Sequence, residues 1–153
     1  MSGRVLVLVL LALALSACGR KNVPVAPQLV RPEPPEALSA IATSEGVRLT
    51  WLRPTRYSGG QRMDDLEGFV IERGAPAEAG TVGFQKIGAL ELEDRTRFRK
   101  ERRLEWLDKD VRPGERYLYR VTSYTLDGYR SAPAGPVAVQ YGPPAGSPPA
   151  PPQ

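Results

Sequence analysis

Residues 117–124 read Tyr-Leu-Tyr-Arg-Val-Thr-Ser-Tyr, the longest run of the chain in which β-branched and aromatic residues alternate with a period of two. Successive side chains of a β-strand point to opposite faces of a sheet. The alternation therefore separates Tyr117, Tyr119, Val121 and Ser123 from Leu118, Arg120, Thr122 and Tyr124. The pattern predicts a strand with two distinct faces.

Runs of the same kind lie on both sides of this strand, between turn residues. Val47, Leu49 and Trp51 alternate strictly in one of them, and Asp127-Gly128 predicts a hairpin turn after Tyr124. The middle of the chain shows no helical period. The predicted strands are Ala37–Thr43, Gly46–Leu52, Gly68–Arg73, Val82–Ile87, Leu104–Leu107, Tyr117–Tyr124 and Val137–Tyr141. Seven short strands joined by short turns predict an all-β, immunoglobulin-like sandwich of two sheets.

Residues 35–141 also resemble a fibronectin type III domain. The resemblance rests on Leu49-Thr50-Trp51, the stretch 66–73, Trp106-Leu107-Asp108 and the stretch 111–121. It implies that Trp51 is the central aromatic residue of the core. It also implies that Tyr117 forms a tyrosine corner, in which the phenol hydroxyl reaches back to the backbone near residues 111–113. Two departures from the family pattern are a long loop over 53–66 and a charged insertion over 89–103.

Proline marks the limits of the predicted domain. Of the 16 prolines, five lie in residues 19–36 and six in residues 142–153. The first segment is predicted to be an extended, polyproline-like linker that could hold a domain up to about 50 Å from its anchor. The second is predicted to be a disordered tail. The expected organisation is a signal peptide (1–17), a linker (18–36), a fibronectin type III domain (37–141) and a tail (142–153).

The N-terminus carries a targeting signal. The apolar run Val5–Leu15 is 11 residues long, well short of the roughly 20 residues that span a bilayer. It is followed by Leu15-Ser16-Ala17-Cys18, which resembles the bacterial lipobox. The resemblance implies cleavage before Cys18 and attachment of lipid to its thiol. The bilayer is thus the expected partner of acylated Cys18.

The composition argues against catalysis. The chain has no histidine, and its single cysteine is assigned to lipid. No serine lies in a Gly-x-Ser-x-Gly turn, so a nucleophile and its base are both missing. The acidic pair Asp64 and Asp65 is interpreted as solvated turn residues rather than as a calcium loop. We expect no enzymatic activity, no metal and no cofactor.

A basic segment is the strongest charge feature of the chain. Its net charge over residues 94–103 is +4, from six cations and two carboxylates. One interpretation is an exposed loop compensated by the nearby acids. The other is contact with an anionic envelope partner, gripped by arginine side chains. Nucleic acid is not expected, because the chain is exported and the segment lacks stacking aromatic residues. The cations are Arg95, Arg97, Arg99, Lys100, Arg102 and Arg103.

Cys18-Gly19-Arg20-Lys21 is similar to the start of a family of very small Gram-negative outer-membrane lipoproteins. Some of these assist lipopolysaccharide export, although Asn22 and Val23 depart from the family's Gly-Pro. The leading hypothesis is a non-enzymatic protein-binding or spacer module, anchored by lipid in the cell envelope and contacting an envelope protein. The outer membrane, on its periplasmic side, is the expected location. The alternative is an envelope-assembly factor that works through its lipidated N-terminus.

Overall fold

The computed structural model describes residues 26–74, 83–93 and 101–142. These residues form one short 3-10 turn and seven strands. The turn is Pro27–Leu29, and the strands are Glu36–Thr43 (β1), Gly46–Leu52 (β2), Leu66–Gly74 (β3), Phe84–Glu91 (β4), Arg103–Asp108 (β5), Arg116–Thr125 (β6) and Ala134–Gln140 (β7). The predicted all-β fold is confirmed.

The strands form two sheets that pack face to face. One sheet has the order β1-β2-β5 and the other the order β4-β3-β6-β7. All strand pairs are antiparallel. Because the side chains alternate, each sheet turns one apolar face inward and one more polar face outward. The predicted inner set of β2 is confirmed, since Val47, Leu49 and Trp51 are fully buried.

The core lies between the two sheets and is rich in aromatic residues. The ring of Trp51 meets that of Phe69 on β3 edge to face, with centroids 5.4 Å apart. Tyr117 and Tyr119 lie on the inner face of β6, with ring centroids 6.3 Å apart. The hydroxyl of Tyr117 accepts a hydrogen bond of 2.9 Å from the backbone N–H of Arg112. This contact joins β6 to the turn that precedes it.

Strand β4 differs from its prediction. It ends at Glu91 rather than Ile87, so the predicted insertion over 89–103 begins inside a strand and ends inside β5. The register of β4 against β3 shifts between Ile71 and Glu72. Such a bulge breaks the alternation that marks a strand in the sequence. Opposite Ile71 lies Gly88, where an added Cβ would come within 2.7 Å of the Trp106 ring.

Three of the four edge strands are irregular, and one of them is β4 with the register shift just described. In β1, the pairing shifts between Glu36 and Ser39, and Ala37 has a φ of 50°. In β7, Pro136 has no N–H to offer a further strand. Strand β5, by contrast, keeps an unbroken register with β2 over its whole length. A regular edge of this kind is the one best suited to pair with another strand.

The chain ahead of β1 is not a free tether along its whole length. Residues 29–35, which we call the docked arm, are held by hydrogen bonds to the domain. Ser58 N–H donates to the carbonyl of Arg31 (2.8 Å), and Glu33 N–H donates to that of Arg56 (3.0 Å). Pro32 is fully buried. The prediction of an extended linker through residue 36 is therefore wrong for the docked arm.

Candidate functional site

The loop between β2 and β3 folds into a small hairpin of its own. Tyr57 N–H donates to the carbonyl of Gln61 (2.9 Å), and Met63 N–H donates to that of Thr55 (2.9 Å). Met63 is 8% exposed and belongs to the core. The long loop predicted from the sequence is thus an ordered platform, and the docked arm lies along it.

The turn between β6 and β7 joins the same platform. Leu126 N–H donates to the carbonyl of Asp65 (2.9 Å). The carboxylate of Asp65 accepts a hydrogen bond of 2.6 Å from the hydroxyl of Tyr57. Burial and this carboxylate raise the pKa of Tyr57 well above its usual value. The docked arm, the loop 53–65 and the turn 126–133 together form one end of the sandwich, which we call the N-terminal pole.

Arg102 belongs to this pole as a structural residue. Its guanidinium donates to the carbonyl of Arg53 through Nε (3.1 Å) and Nη2 (3.0 Å). Nη2 also lies 2.8 Å from the carboxylate of Glu36. Its own carbonyl accepts from Arg53 N–H (2.9 Å). Arg102 therefore fastens the start of β5 to the end of β2 and to β1.

Arg103 behaves differently from its neighbour. It pairs with Leu52 at the start of β5, and its side chain is exposed on the outer face of the three-stranded sheet. Its backbone N–H donates to the carboxylate of Glu101 (2.9 Å). Within the described part of the basic segment, one arginine is used by the fold and the next is available to a partner. Cys18, Arg95, Arg97, Arg99 and Lys100 lie outside the described residues.

A second polar cluster lies at the opposite ends of the same strands, and sequence reasoning missed it. Asp108 at the end of β5 is 3% exposed. Its Oδ2 accepts hydrogen bonds from Arg73 Nη1 on β3 (2.7 Å) and from the Tyr119 hydroxyl on β6 (2.8 Å). Its Oδ1 accepts from Asp110 N–H (3.1 Å). Asp108 of the three-stranded sheet therefore binds side chains from two strands, β3 and β6, of the four-stranded sheet.

The surroundings of this cluster favour charged Arg73 and neutral Tyr119. Burial alone would lower the pKa of Arg73, but the hydrogen bond and charge of Asp108 outweigh it and leave the pKa raised. Burial, followed by the hydrogen bond to Asp108, raises the pKa of Tyr119 far above its usual value. The Arg73 guanidinium also lies 5.2 Å from the centroid of the Tyr117 ring. This cluster joins the sheets and contains no nucleophile.

The stability of the domain is expected to fall as the pH rises above about 10, the ordinary pKa of tyrosine. Above that value the unfolded chain releases the Tyr119 proton, whereas the folded chain keeps it, so alkali favours unfolding. Urea midpoints at about pH 9 and about pH 11 should show the decline, and Tyr119→Phe should reduce it. In the control variant Tyr129→Phe, which alters an exposed tyrosine, the urea midpoint should fall by as much as in the unaltered protein. Equal declines in all three would contradict the role of Tyr119.

The outer face of the four-stranded sheet carries a third cluster. Arg120 makes two hydrogen bonds to the carboxylate of Glu72, at 2.8 and 2.9 Å. Its guanidinium lies 4.3 Å from the centroid of the Phe84 ring. The hydrogen bonds to Glu72 raise the pKa of Arg120. Arg120 thus contacts side chains from both β3 and β4, and we interpret this cluster as a stabilising contact on the outer face of the sheet.

A cleft beside β5 holds about 280 Å³, with walls from Glu45, Arg48, Glu105, Trp106 and Leu107. This volume lies at the lower limit of small-molecule sites. Within residues 26–74, 83–93 and 101–142, no three acidic, histidine or cysteine side chains could hold a metal ion. The same residues contain no helix long and apolar enough to cross a membrane.

Comparison with known proteins identifies the fold. No family model matches the sequence, and no curated protein matches it. A solution structure of the fourth fibronectin type III domain of a human protein is 18% identical, with a TM-score of 0.51. The match covers 88% of this chain and 98% of that one. The kinase region of twitchin from C. elegans, which includes such a domain, is 20% identical, also with a TM-score of 0.51. There the match covers 73% of this chain and 17% of that one.

At these identities the likenesses establish a fold and nothing finer. The described residues offer three surfaces for contact: the N-terminal pole, exposed Arg103 and the regular edge of β5. Surfaces of this kind bind macromolecules by shape, hydrogen bonds and charge.

Proposed function

We propose that this fibronectin type III fold serves as a non-enzymatic protein-binding or spacer module, anchored in the cell envelope by lipid on Cys18. The docked arm is the observation that carries the proposal. Because residues 29–35 are bound to the domain, the chain leaves it at the N-terminal pole. The linker between Cys18 and the domain is therefore shorter than the sequence suggests. Residues 1–17 would be removed as a signal peptide, and the outer membrane on its periplasmic side is the proposed location.

The anchor is tested through the lipid itself. Cys18→Ser removes the only thiol of the chain, so labelling with radioactive palmitate should disappear. Two or more acyl chains are needed for durable anchoring, and the substitution prevents them all. The control Ser16→Ala keeps a small residue in the same motif and should retain the label. Label that persists in Cys18→Ser would refute the anchor.

The proposed contact with an anionic envelope partner rests on the basic segment. The structure restricts its test to Arg95, Arg97, Arg99 and Lys100, because Arg102 holds the Arg53 carbonyl and Glu36. A photoreactive amino acid in place of Phe98 should form crosslinks to the partner. Replacing the four basic residues with glutamate should abolish these crosslinks. Reversal of four exposed arginines outside residues 94–103, at positions 48, 62, 112 and 116, is the matched control. Undiminished crosslinks after reversal of the basic segment would eliminate this partner.

The alternative is an envelope-assembly factor that works through its lipidated N-terminus, and it is favoured by the stretch Cys18–Lys21. A chimera discriminates the two functions. The docked arm belongs to the domain, so the junction should follow residue 28 rather than residue 36. If residues 1–28 joined to an unrelated domain restore a deletion phenotype, the binding module is dispensable and the alternative holds.

A further inference from the structure

We infer that the N-terminal pole rests on the surface of the bilayer that holds the chain, with Leu29, Leu126 and Tyr129 in the interfacial layer of the lipid. The inference depends on the anchor proposed above and adds an orientation to it. The sandwich would stand on one defined end, and the opposite pole with its Asp108 cluster would point away from the membrane.

The distribution of exposed apolar side chains is the first observation. Among the described residues, four large hydrophobic side chains are exposed: Leu29 (44%), Ile41 (59%), Leu126 (57%) and Tyr129 (36%). Ile41 lies on the outer face of β1, where it pairs with Arg48. The other three belong to the N-terminal pole. Single exposed apolar residues are common, but here three of the four lie at one end of the sandwich.

Hydrogen bonds place these three residues on the same pole. The carbonyl of Leu29 accepts from Gly59 N–H (3.1 Å), and Leu126 N–H donates to the Asp65 carbonyl (2.9 Å). The carbonyl of Tyr129 accepts from Thr125 N–H (3.0 Å), at the base of the Leu126 turn. All three are thus tied to the ends of the strands at which the docked arm enters.

The length of chain ahead of the docked arm is the second observation. Ten residues, 19–28, separate Cys18 from Leu29. Fully extended, they reach at most about 35 Å, which is close to the roughly 33 Å length of a ten-residue strand such as β6. The opposite pole could touch the bilayer only if this segment were almost fully extended, so a lipid on Cys18 favours contact through the N-terminal pole.

The charges of the pole suit an interfacial position. The three segments of the pole carry nine charged side chains: Arg31, Arg53, Arg56, Arg62 and Arg130, with Glu33, Asp64, Asp65 and Asp127. Their net charge is only +1, so contact does not depend on anionic lipid. Arginine stems can lie along the apolar surface while their guanidinium groups remain among the headgroups. Tyrosine is likewise favoured at this depth.

Three apolar side chains are too few to bind a membrane alone. The lipid anchor removes that requirement, because it makes the contact intramolecular at a high effective concentration. The lipidated protein is expected to lie on the bilayer in this orientation, whereas the mature chain 18–153 without acyl chains should not bind vesicles.

The test uses the absence of any second thiol in the chain. Leu126→Cys and Ile41→Cys variants, each acylated at Cys18, are labelled with an environment-sensitive fluorophore. They are reconstituted in phosphatidylcholine vesicles that contain a doxyl-labelled lipid quencher. The two positions match in exposure, at 57% and 59%. Label at position 126 should shift to shorter wavelength and lose fluorescence to the quencher, whereas label at position 41 should do neither. Tyr129→Cys provides a second position at the pole and should behave as Leu126→Cys does.

Flotation of the same vesicles separates the possible failures. Protein that does not float would overturn the anchor, and with it the orientation. Protein that floats with labels at 126 and 129 unquenched, or quenched no more than at 41, would overturn the orientation alone.

Discussion

Replacing Asp108 with alanine is expected to lower the free energy of unfolding by about 3–5 kcal/mol, the usual cost of removing one partner of a buried ion pair. The substitution leaves the Tyr119 hydroxyl and Arg73 Nη1 without their carboxylate acceptor between the sheets. Arg73 retains its contacts with Asp110, whose side chain is 99% exposed. Urea denaturation followed by tryptophan fluorescence measures the loss.

Asp110→Ala is the matched control. This residue carries the same charge two positions away, and its carboxylate lies 3.4 Å from Arg73 Nη2. Because solvent screens an exposed pair, its removal should change the stability little. Asp108→Asn keeps an acceptor but loses the charge, and its effect should fall between the two. Equal losses in Asp108→Ala and Asp110→Ala would show that burial of Asp108 is not what matters.

Gly46→Ala is expected to destabilise the domain by about 3 kcal/mol, from backbone strain together with overpacking. Gly46 begins β2 with a φ of 143°, a conformation that side chains rarely allow. An added Cβ would also lie 2.1 Å from the carbonyl oxygen of Asp108. That atom belongs to the backbone, so it cannot turn aside as a side chain would.

Gly60→Ala separates the two causes. Gly60 has a φ of 83°, and no atom lies within 4 Å of the place its Cβ would take. Gly60→Ala should therefore lower the free energy of unfolding by about 1 kcal/mol, from backbone strain alone and without a steric clash. Urea midpoints of both variants give the comparison. If Gly46→Ala costs no more than Gly60→Ala, the close approach of β2 to the end of β5 would be refuted.

Local alternation made the fold predictable. Val47, Leu49 and Trp51 are apolar at every second position, and such a pattern needs no knowledge of partners. The prediction of β4 failed at a bulge, where the alternation itself is interrupted. The predicted fifth strand stopped at Leu107, one residue before Asp108. Local alternation could not reveal the partner of Asp108, because Arg73 lies 35 residues earlier.

The docked arm was unpredictable for a related reason. A proline-rich composition does not reveal that residues 29–35 pack against the domain or that Pro32 is buried against a loop. Arg102 and Arg103 look equivalent in a basic run. Only the position of the Arg53 carbonyl and of Glu36 distinguishes the arginine that the fold uses from the one that it leaves exposed.

The docked arm also determines how the domain would respond to a mechanical load. A pull on the chain ahead of Leu29 acts first on the contacts of Leu29, Arg31 and Glu33 with the loop, and only afterwards on the ladder between β1 and β2. Hydrogen bonds loaded one after another yield at lower force than a ladder sheared as a whole. Released and fully extended, residues 29–35 would span about 23 Å. The arm would thus extend under tension while the sandwich behind it stays folded.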